Sequence, residues 1–203
     1  MRGLPHLGLG ETRVAQRGDR ANGSDRCFFC KAELVEVLSA IAASRGLAVV
    51  ATGTNADDAV AGFRPGIRAA DERGAVAPLR DAGLTKAQVR EASHRWGLPT
   101  WDKPAAACLS SRVAYGVEVT PHALARVERA EAGVRRELTG VRNLRVRDLG
   151  GDRASVEVDA DLLPLEDALS DRVLGVVREA GFETVDVDPR GFRSGSMNEA
   201  LAR

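Results

Sequence analysis

The sequence lacks an excess of charge of either sign, and it lacks long apolar runs. Its 29 basic and 29 acidic residues cancel, so no broad positive field is present to attract nucleic acid or an anionic membrane. No apolar run approaches the roughly 20 residues that span a bilayer, and the Arg/Gly-rich start has no apolar segment of a secretion signal. We therefore expect a cytoplasmic protein with neither membrane nor nucleic-acid partners.

The sequence also lacks the cysteine and histidine patterns of disulfide frameworks and common zinc sites. Its three cysteines are an odd number, Cys27 and Cys30 form a single CxxC motif, and the three histidines are scattered. We therefore expect the cysteines to serve in a metal site, in an iron–sulfur cluster or in thiol chemistry. If Cys108 meets the CxxC pair in space, three thiolates can hold a [4Fe–4S] cluster with one iron left open. The alternatives are a redox dithiol at the CxxC motif and a Cys108 that is simply a small buried side chain.

The length and composition of the chain indicate a globular protein of one domain or two small ones. Of the 203 residues, 44% are hydrophobic and 29% are charged, which suits a packed core and excludes wholesale disorder. Residues 1–26 show neither helical nor strand periodicity, so we expect this segment to be disordered or to be a mis-assigned start. Residues 27–115 follow as a predicted α/β unit, and residues 116–203 as a predicted α+β unit for substrate binding or oligomerisation.

The first unit has the pattern of a parallel α/β sheet. Apolar residues on one helical face predict a helix from Lys31 to Gly46, and the apolar run 47–51 predicts a buried strand. The polar loop 53–58 follows that strand directly. Ligands of open α/β sheets bind at the carboxyl ends of strands, so this loop is either a binding site or an ordinary turn. A second helix is predicted between Thr85 and Gly97.

The second unit is predicted to be a smaller α+β domain with the order helix, strand, strand, helix, strand. Its first helix begins at Thr120, and its apolar stripe contains one carboxylate, Glu131. Because an unpaired buried carboxylate is costly, we expect Glu131 to find an arginine, another cation or a metal at a domain or subunit contact.

Residues 144–158 predict a β-hairpin around a pair of glycines. A three-residue loop with a glycine bulge sets Arg145 opposite Glu157 and Val146 opposite Val156, whereas a two-residue loop mixes polar and apolar residues on each face. In the favoured register Glu157 fixes Arg145 and leaves Arg147 free to meet a phosphate or carboxylate. The alternative is a solvated strand face with a weak surface ion pair.

Collinear blocks of the chain over about residues 25 to 201 resemble the LarE-type ATP-dependent sulfur transferases, members of the PP-loop ATP pyrophosphatase superfamily. The blocks are Arg26-Cys-Phe-Phe-Cys-Lys31, Gly53-Thr-Asn-Ala-Asp-Asp58, Phe63-Arg-Pro-Gly66, Pro78-Leu79, Leu84-Thr-Lys86, Gly97-Leu-Pro-Thr-Trp-Asp-Lys-Pro104, Ala107-Cys-Leu-Ser-Ser-Arg112, Arg145-Val-Arg147 and Arg193-Ser-Gly-Ser-Met-Asn198.

The resemblance implies a fold and a reaction. The fold is an adenine nucleotide alpha hydrolase-like domain followed by the smaller α+β domain. The reaction adenylates a carboxylate of a pyridinium dicarboxylate mononucleotide with ATP and Mg²⁺, and sulfur transfer then gives a thiocarboxylate of the nickel-pincer nucleotide cofactor of lactate racemase. The cysteine matching Cys108 either gives up its own sulfur or joins the CxxC pair around a [4Fe–4S] cluster that carries a sulfide. Since this chain has the CxxC motif, the cluster version is favoured.

The resemblance also assigns site residues. It implies that ATP is bound by Gly53, Asn55, Asp57, Asp58 and Arg112. It also implies that the substrate phosphate is bound by Arg145 and Arg147, and that an iron–sulfur cluster is bound by Cys27, Cys30 and Cys108. Glu131 and Glu157 match carboxylates of a metal site at a subunit contact, which implies a homo-oligomer.

The family's Ser-Gly-Gly-x-Asp-Ser loop, which wraps the ATP phosphates, has no counterpart in residues 1–26. We therefore expect a PP-loop domain that lacks its N-terminal segment and binds ATP poorly as it stands. Two alternatives follow for its function. One is a non-catalytic remnant that binds a cluster or forms oligomers, and the other is a tRNA-thiolating PP-loop relative.

Overall fold

The computed structural model describes residues 20–104, 106–193 and 195–197. In these residues the chain is a mixed α/β protein. The α-helices are α1 (Arg26–Ser44), α2 (Ala56–Val60), α3 (Pro65–Asp71), α4 (Pro78–Asp81), α5 (Lys86–Arg95), α6 (Pro121–Glu137) and α7 (Asp167–Glu179). Short 3₁₀ helices cover Leu109–Arg112 and Ala160–Leu162, and the strands are β1 (Leu144–Gly150), β2 (Arg153–Val158) and β3 (Thr184–Val187). Within the described ranges, no helix has the length and apolar character needed to cross a membrane.

The main hydrophobic core lies in the C-terminal half, between a three-stranded sheet and the helices α6 and α7. The strand order is β1-β2-β3, with β1 antiparallel and β3 parallel to β2. α6 begins after Thr120, whose hydroxyl accepts a hydrogen bond from the N–H of Ala123 at 3.1 Å. The predicted order of elements in this half is confirmed. Its buried apolar residues include Val127, Val134, Val146, Val156, Val173, Val177 and Phe182.

The predicted register of the hairpin is confirmed. Arg145 lies opposite Glu157, and Val146 lies opposite Val156. The connection differs in detail from the predicted three-residue loop, because the register shifts between Asp148 and Gly150. A bulge of this kind, followed by the positive φ angles of Gly151 and Asp152, closes a two-residue turn without moving the paired residues to the wrong face.

The N-terminal half is built around α1, which packs against α3. α1 begins at Arg26, five residues before the predicted start at Lys31. A small second core is formed by Val35 of α1 with Ala70, Ala75 and the half-buried Val50. The two helices approach closely where a Cβ added to Gly66 would lie 3.2 Å from the Cys27 carbonyl oxygen. This close approach places the first turn of α1 beside the start of α3.

The strand predicted at 47–51 is wrong as a regular element. In the described residues it is reduced to an isolated parallel bridge between Ala51 and Val76. Two hydrogen bonds hold the bridge, from Thr52 N to Val76 O at 2.8 Å and from Val76 N to Val50 O at 2.9 Å. Because the described chain supplies backbone partners on one side only, the apolar run does not become a buried strand, and Leu47 is 60% exposed.

Residues 20–26 differ from the predicted disorder. Asn22 is fully buried, and its Nδ2 donates to the carbonyl oxygens of Ala114 at 2.7 Å and Val117 at 2.8 Å. Arg26 is also buried and lies 4.7 Å from the Tyr115 ring. This anchoring uses single polar side chains, which leave no periodic signal in the sequence. Residues 1–19, the rest of the segment predicted to be disordered, lie outside the described residues.

The helix predicted between Thr85 and Gly97 is confirmed as α5. The Thr85 hydroxyl caps it by accepting a hydrogen bond from Gln88 N at 3.3 Å, and Gln88 Oε1 accepts one from Thr85 N at 2.9 Å. Gly97, which follows its C-terminus, has a φ of 67°. Trp96, which lies between the end of this helix and Gly97, is 73% exposed.

We expect the stability of the protein to depend on pH through the carboxylate of Asp159. Burial alone would raise the pKa of Asp159, but hydrogen bonds from Asn143 and from Arg142 N outweigh it and lower the pKa. A lowered folded-state pKa stabilises the protein above the unfolded value of about 4, and this contribution is lost as the pH falls through the folded pKa. In urea unfolding, Asp159→Asn should therefore be less stable than wild type at pH 7, and the difference should shrink towards pH 3. A constant difference across this range would contradict the assignment.

Candidate active site

Cys108 stands at the start of the 3₁₀ helix Leu109–Arg112, with its side chain exposed. Its carbonyl oxygen accepts hydrogen bonds from Ser111 Oγ at 2.7 Å and from Arg112 Nη1 at 2.8 Å. The backbone of the cysteine is therefore fixed, while its thiol remains accessible to a reactant. This combination suits a nucleophile or a sulfur donor.

Arg112 joins the Cys108 segment to the C-terminal half. The side chain is buried, and it forms a two-pronged ion pair with Glu131 of α6, Nε to Oε1 at 2.9 Å and Nη2 to Oε2 at 3.3 Å. Its Nη1 also donates to the Ala107 carbonyl oxygen at 2.5 Å. Glu131 Oε1 accepts a further hydrogen bond from Val146 N at 3.2 Å. The expected partner of Glu131 is thus an arginine of the same chain.

These contacts differ from the role that the family resemblance gives Arg112. Each nitrogen of its guanidinium already donates to a protein oxygen, so in this structure Arg112 holds the Cys108 segment, and its contact with ATP stays a prediction. A signal was present in the sequence, because a carboxylate on an apolar helix face requires a cation. The sequence did not show which cation it would be.

The two arginines of β1 are buried, and their partners differ from those predicted. Glu157 pairs with Arg147 at 2.7 Å and leaves Arg145 to other contacts, so the prediction that Arg147 remains free is wrong. Arg147 also donates to the Ser111 carbonyl oxygen at 3.0 Å and to Ser196 Oγ at 2.9 Å. Long side chains at diagonal positions of neighbouring strands can reach each other. Glu157 can therefore pair with Arg147, two residues beyond Arg145, which lies directly opposite it.

Arg145 lies in a positively charged environment. Its guanidinium carbon is 5.0 Å from the centroid of the Phe192 ring. Burial, together with the charges of Arg112 and Arg147, lowers the pKa of Arg145 against the opposing effect of Glu131 and Glu157. Three guanidiniums and two carboxylates therefore lie close together in this cluster.

The structure does not arrange the predicted metal ligands as a metal site. Cys27 and Cys30 lie on the first turns of α1, the former exposed and the latter half-buried. Over residues 20–104, 106–193 and 195–197, no three cysteine, histidine or acidic side chains are grouped to hold a metal ion. Glu131 and Glu157 are each occupied by an arginine. Within the described residues of one chain, the three thiols are therefore not brought together, and a metal at the two glutamates of a subunit contact stays a prediction.

A cavity of about 440 Å³ lies at the predicted ATP loop. Gly53 and Asp58 line it, and so do Lys31 and Arg64, which can supply positive charge to a phosphate. Asn55 does not line it, because its side chain caps α2 by accepting from Asp58 N at 3.2 Å. Asp57 Oδ2 instead accepts from Lys86 N at 2.8 Å. Cys27 also lines this cavity, so the CxxC motif lies beside the loop.

Sequence reasoning missed several residues of these sites. Lys31 and Arg64 lie in blocks that carry the family resemblance, as does Ser196, which donates to Glu157 Oε1 at 2.9 Å. Their positions in those blocks were the available signal. Phe192, which stacks on Arg145, follows a glycine with positive φ and gave no signal of its own.

Comparison with known proteins gives three similar chains. The uncharacterized protein slr1717 of Synechocystis sp. (strain ATCC 27184 / PCC 6803 / Kazusa) is 37% identical over 203 residues, which are 99% of this chain and 74% of that protein. The pyridinium-3,5-bisthiocarboxylic acid mononucleotide synthase of Lactiplantibacillus plantarum is 34% identical over 182 residues, 90% of this chain and 64% of the synthase. The uncharacterized protein MJ0830 of Methanocaldococcus jannaschii is 27% identical over 173 residues, 85% of this chain and 66% of that protein.

The chain thus spans about three quarters of the Synechocystis protein and about two thirds of the other two. No protein-family model matches it. The Synechocystis protein and the synthase are each more than 30% identical to this chain over most of its length, which supports the resemblance to the LarE-type family.

Proposed function

We propose that the protein is an ATP-dependent sulfur transferase that converts a carboxylate of a pyridinium dicarboxylate mononucleotide into a thiocarboxylate, for synthesis of a nickel-pincer nucleotide. The name of the 34% identical synthase supports the substrate class. The observation that carries the proposal is the exposed thiol of Cys108 on a backbone held by buried Arg112. We propose that the N-terminal half has the PP-loop fold, that the protein acts as a homo-oligomer, and that it works in the cytoplasm.

The proposed reaction has two chemical stages. A substrate carboxylate oxygen attacks the α-phosphorus of ATP, and pyrophosphate leaves with Mg²⁺ neutralising its charge. The resulting acyl adenylate has a good leaving group, so a sulfur nucleophile can add to its carbonyl carbon and expel AMP. We assign nucleotide binding to the cavity lined by Gly53, Asp58, Lys31 and Arg64, which places cationic groups near the phosphates.

The sulfur nucleophile is assigned to Cys108. If the cysteine is itself the donor, its thiolate forms a thioester with the substrate. The Cys108 Cβ–S bond then breaks as a base removes the α-proton, which leaves dehydroalanine in the protein and a thiocarboxylate on the substrate. The exposed thiol and the fixed carbonyl of Cys108 suit this attack.

A [4Fe–4S] cluster held by Cys27, Cys30 and Cys108 is the other proposed sulfur source. The structure does not bring these three thiols together among the described residues. Anaerobic incubation with iron and sulfide tests it directly. About four irons per chain, lost on replacing any one of the three cysteines by alanine, would establish the cluster. Full iron binding by Cys108→Ala would exclude it.

The substrate phosphate is assigned to the guanidinium cluster around Arg145 and Arg147, because guanidinium groups can bind phosphate oxygens in a two-pronged manner and the family resemblance gives this role to both residues. The test of the whole proposal is incubation of the protein with the dicarboxylate mononucleotide, ATP and Mg²⁺. Mass spectrometry should show a thiocarboxylate product together with AMP and pyrophosphate. A non-catalytic remnant would form none of these, and a tRNA-thiolating enzyme would modify tRNA instead.

A further inference from the structure

A second positively charged cleft, outside the sites described above, lies between the start of α5 and the chain that leads into β1. Its volume is about 820 Å³. Lys86 and Arg90 line one side, and Arg142 lines the other. Among its described lining residues Asp102 is the one acid, so the cleft has an excess of two positive charges. Residues 102 and 104, just before the Cys108 segment, form part of its wall.

Among the described residues, the cations of this cleft form no close ion pair with a carboxylate, although Asp159 interacts electrostatically with Arg142. Within the described part of the chain, the side chains of Lys86 and Arg142 form no hydrogen bond or ion pair. Arg90 Nη2 donates to the Lys103 carbonyl oxygen at 3.0 Å, which is a neutral acceptor and leaves the guanidinium charge uncompensated. Some other surface arginines do pair with acids, as Arg172 does with Glu137 at 3.0 Å.

The backbones that carry these cations are fixed on both sides of the cleft. Lys86 N donates to Asp57 Oδ2 at 2.8 Å, which ties the start of α5 to the 53–58 loop. Arg142 N donates to Asp159 Oδ2 at 2.8 Å, which ties the other side to the end of β2. The positive charges therefore face each other across a frame that is already formed, and a ligand need not order the backbone to bind.

We propose that this cleft binds a phosphate-bearing anion. Three cations from two sides suit a group with several negatively charged oxygens. Phe192 and Val141 supply an apolar part of the wall, and Phe192 also contacts Arg145 of the guanidinium cluster. A phosphate in the cleft would thus lie between the ATP loop and the assigned substrate site. Only the source of the phosphate rests on the proposed function. It is either the pyrophosphate released from ATP or the phosphate monoester of the mononucleotide, and in the second case that phosphate lies in this cleft instead of beside Arg145 and Arg147.

The test measures binding, so it does not require the enzyme to be active. Isothermal titration calorimetry at low ionic strength uses two probes, inorganic pyrophosphate and nicotinic acid mononucleotide, against the full chain. The double variant Lys86→Gln and Arg142→Gln removes the two unpaired charges from exposed positions. Arg135→Gln, an exposed arginine on α6 away from the cleft, is the matched control. A melting curve for each variant confirms that it folds.

We expect the double variant to bind at least one probe about ten-fold or more weakly than wild type, with the control unchanged. A loss for pyrophosphate alone identifies the product of ATP cleavage as the occupant, and a loss for the mononucleotide alone identifies the substrate. Raising the salt concentration should weaken the same binding, because the charges are exposed. If wild type binds neither probe at millimolar concentration, or if the double variant matches wild type or the control for both, the proposal is wrong. Neither result would bear on sulfur transfer by Cys108.

Discussion

Replacing Cys108 by serine should lower thiocarboxylate formation at least about a thousand-fold, because a serine oxygen can neither donate sulfur nor match a thiolate as a nucleophile. The side chain is exposed and donates no hydrogen bond to the described residues, so the melting temperature should hardly change. Adenylation precedes the step that needs sulfur. The variant should therefore still release pyrophosphate from ATP in the presence of the dicarboxylate substrate. The measurement is product mass together with pyrophosphate release.

The other two cysteines provide the matched comparison. If Cys108 donates its own sulfur, Cys27→Ser and Cys30→Ser should each still form product, at most one equivalent per chain, and the wild-type protein should lose the mass of one H₂S. If a cluster carries the sulfide, each of these variants should lose product as completely as Cys108→Ser does. Normal product formation by Cys108→Ser would rule out both versions.

The C-terminal half could be predicted from the sequence in more detail than the N-terminal half. Alternating residues and two adjacent glycines were enough to set Arg145 opposite Glu157, because a slip of one residue would bury polar side chains in the core. The apolar stripe of α6 likewise identified Glu131 as a buried carboxylate. Both signals are periodic and come from residues close together in the chain.

The partners of these residues could not be predicted, because they depend on contacts between distant segments. Arg112 meets Glu131 across 19 residues of sequence, and Asn22 meets Val117 across 95. The apolar pattern also predicted a full strand at 47–51, where the described structure has only a single bridge. An apolar segment becomes a regular strand only when neighbouring strands are present to pair with it. Glu157 pairs with Arg147 and not with Arg145 directly opposite it, because of the length and direction of the side chains. The register alone does not specify this pairing.

Removing one partner of the Arg112–Glu131 ion pair should destabilise the protein more than any exposed substitution. Both side chains are buried, and the pair is reinforced by Val146 N and the Ala107 carbonyl. Glu131→Leu leaves a buried guanidinium without a carboxylate, so we expect the free energy of unfolding to fall by about 3–5 kcal/mol. Arg112→Met leaves the buried carboxylate of Glu131 without a cation, so it should lower the free energy of unfolding by a similar amount. The exposed pair Arg172–Glu137 is the control, and Arg172→Ala should cost under about 1 kcal/mol.

The double variant Arg112→Met with Glu131→Leu separates charge burial from positioning. Because neither charge remains buried, the double variant should recover much of the stability that each single variant loses. The Cys108 carbonyl nevertheless loses its hydrogen bond from Arg112 Nη1, so the cysteine should be less well placed. We therefore expect sulfur transfer to stay at least about ten-fold below wild type even where stability returns. The rate of Cys108 alkylation, measured with Cys27 and Cys30 replaced by serine, should change in parallel. If activity and alkylation recover fully with stability, the ion pair serves the fold alone and Arg112 does not position Cys108.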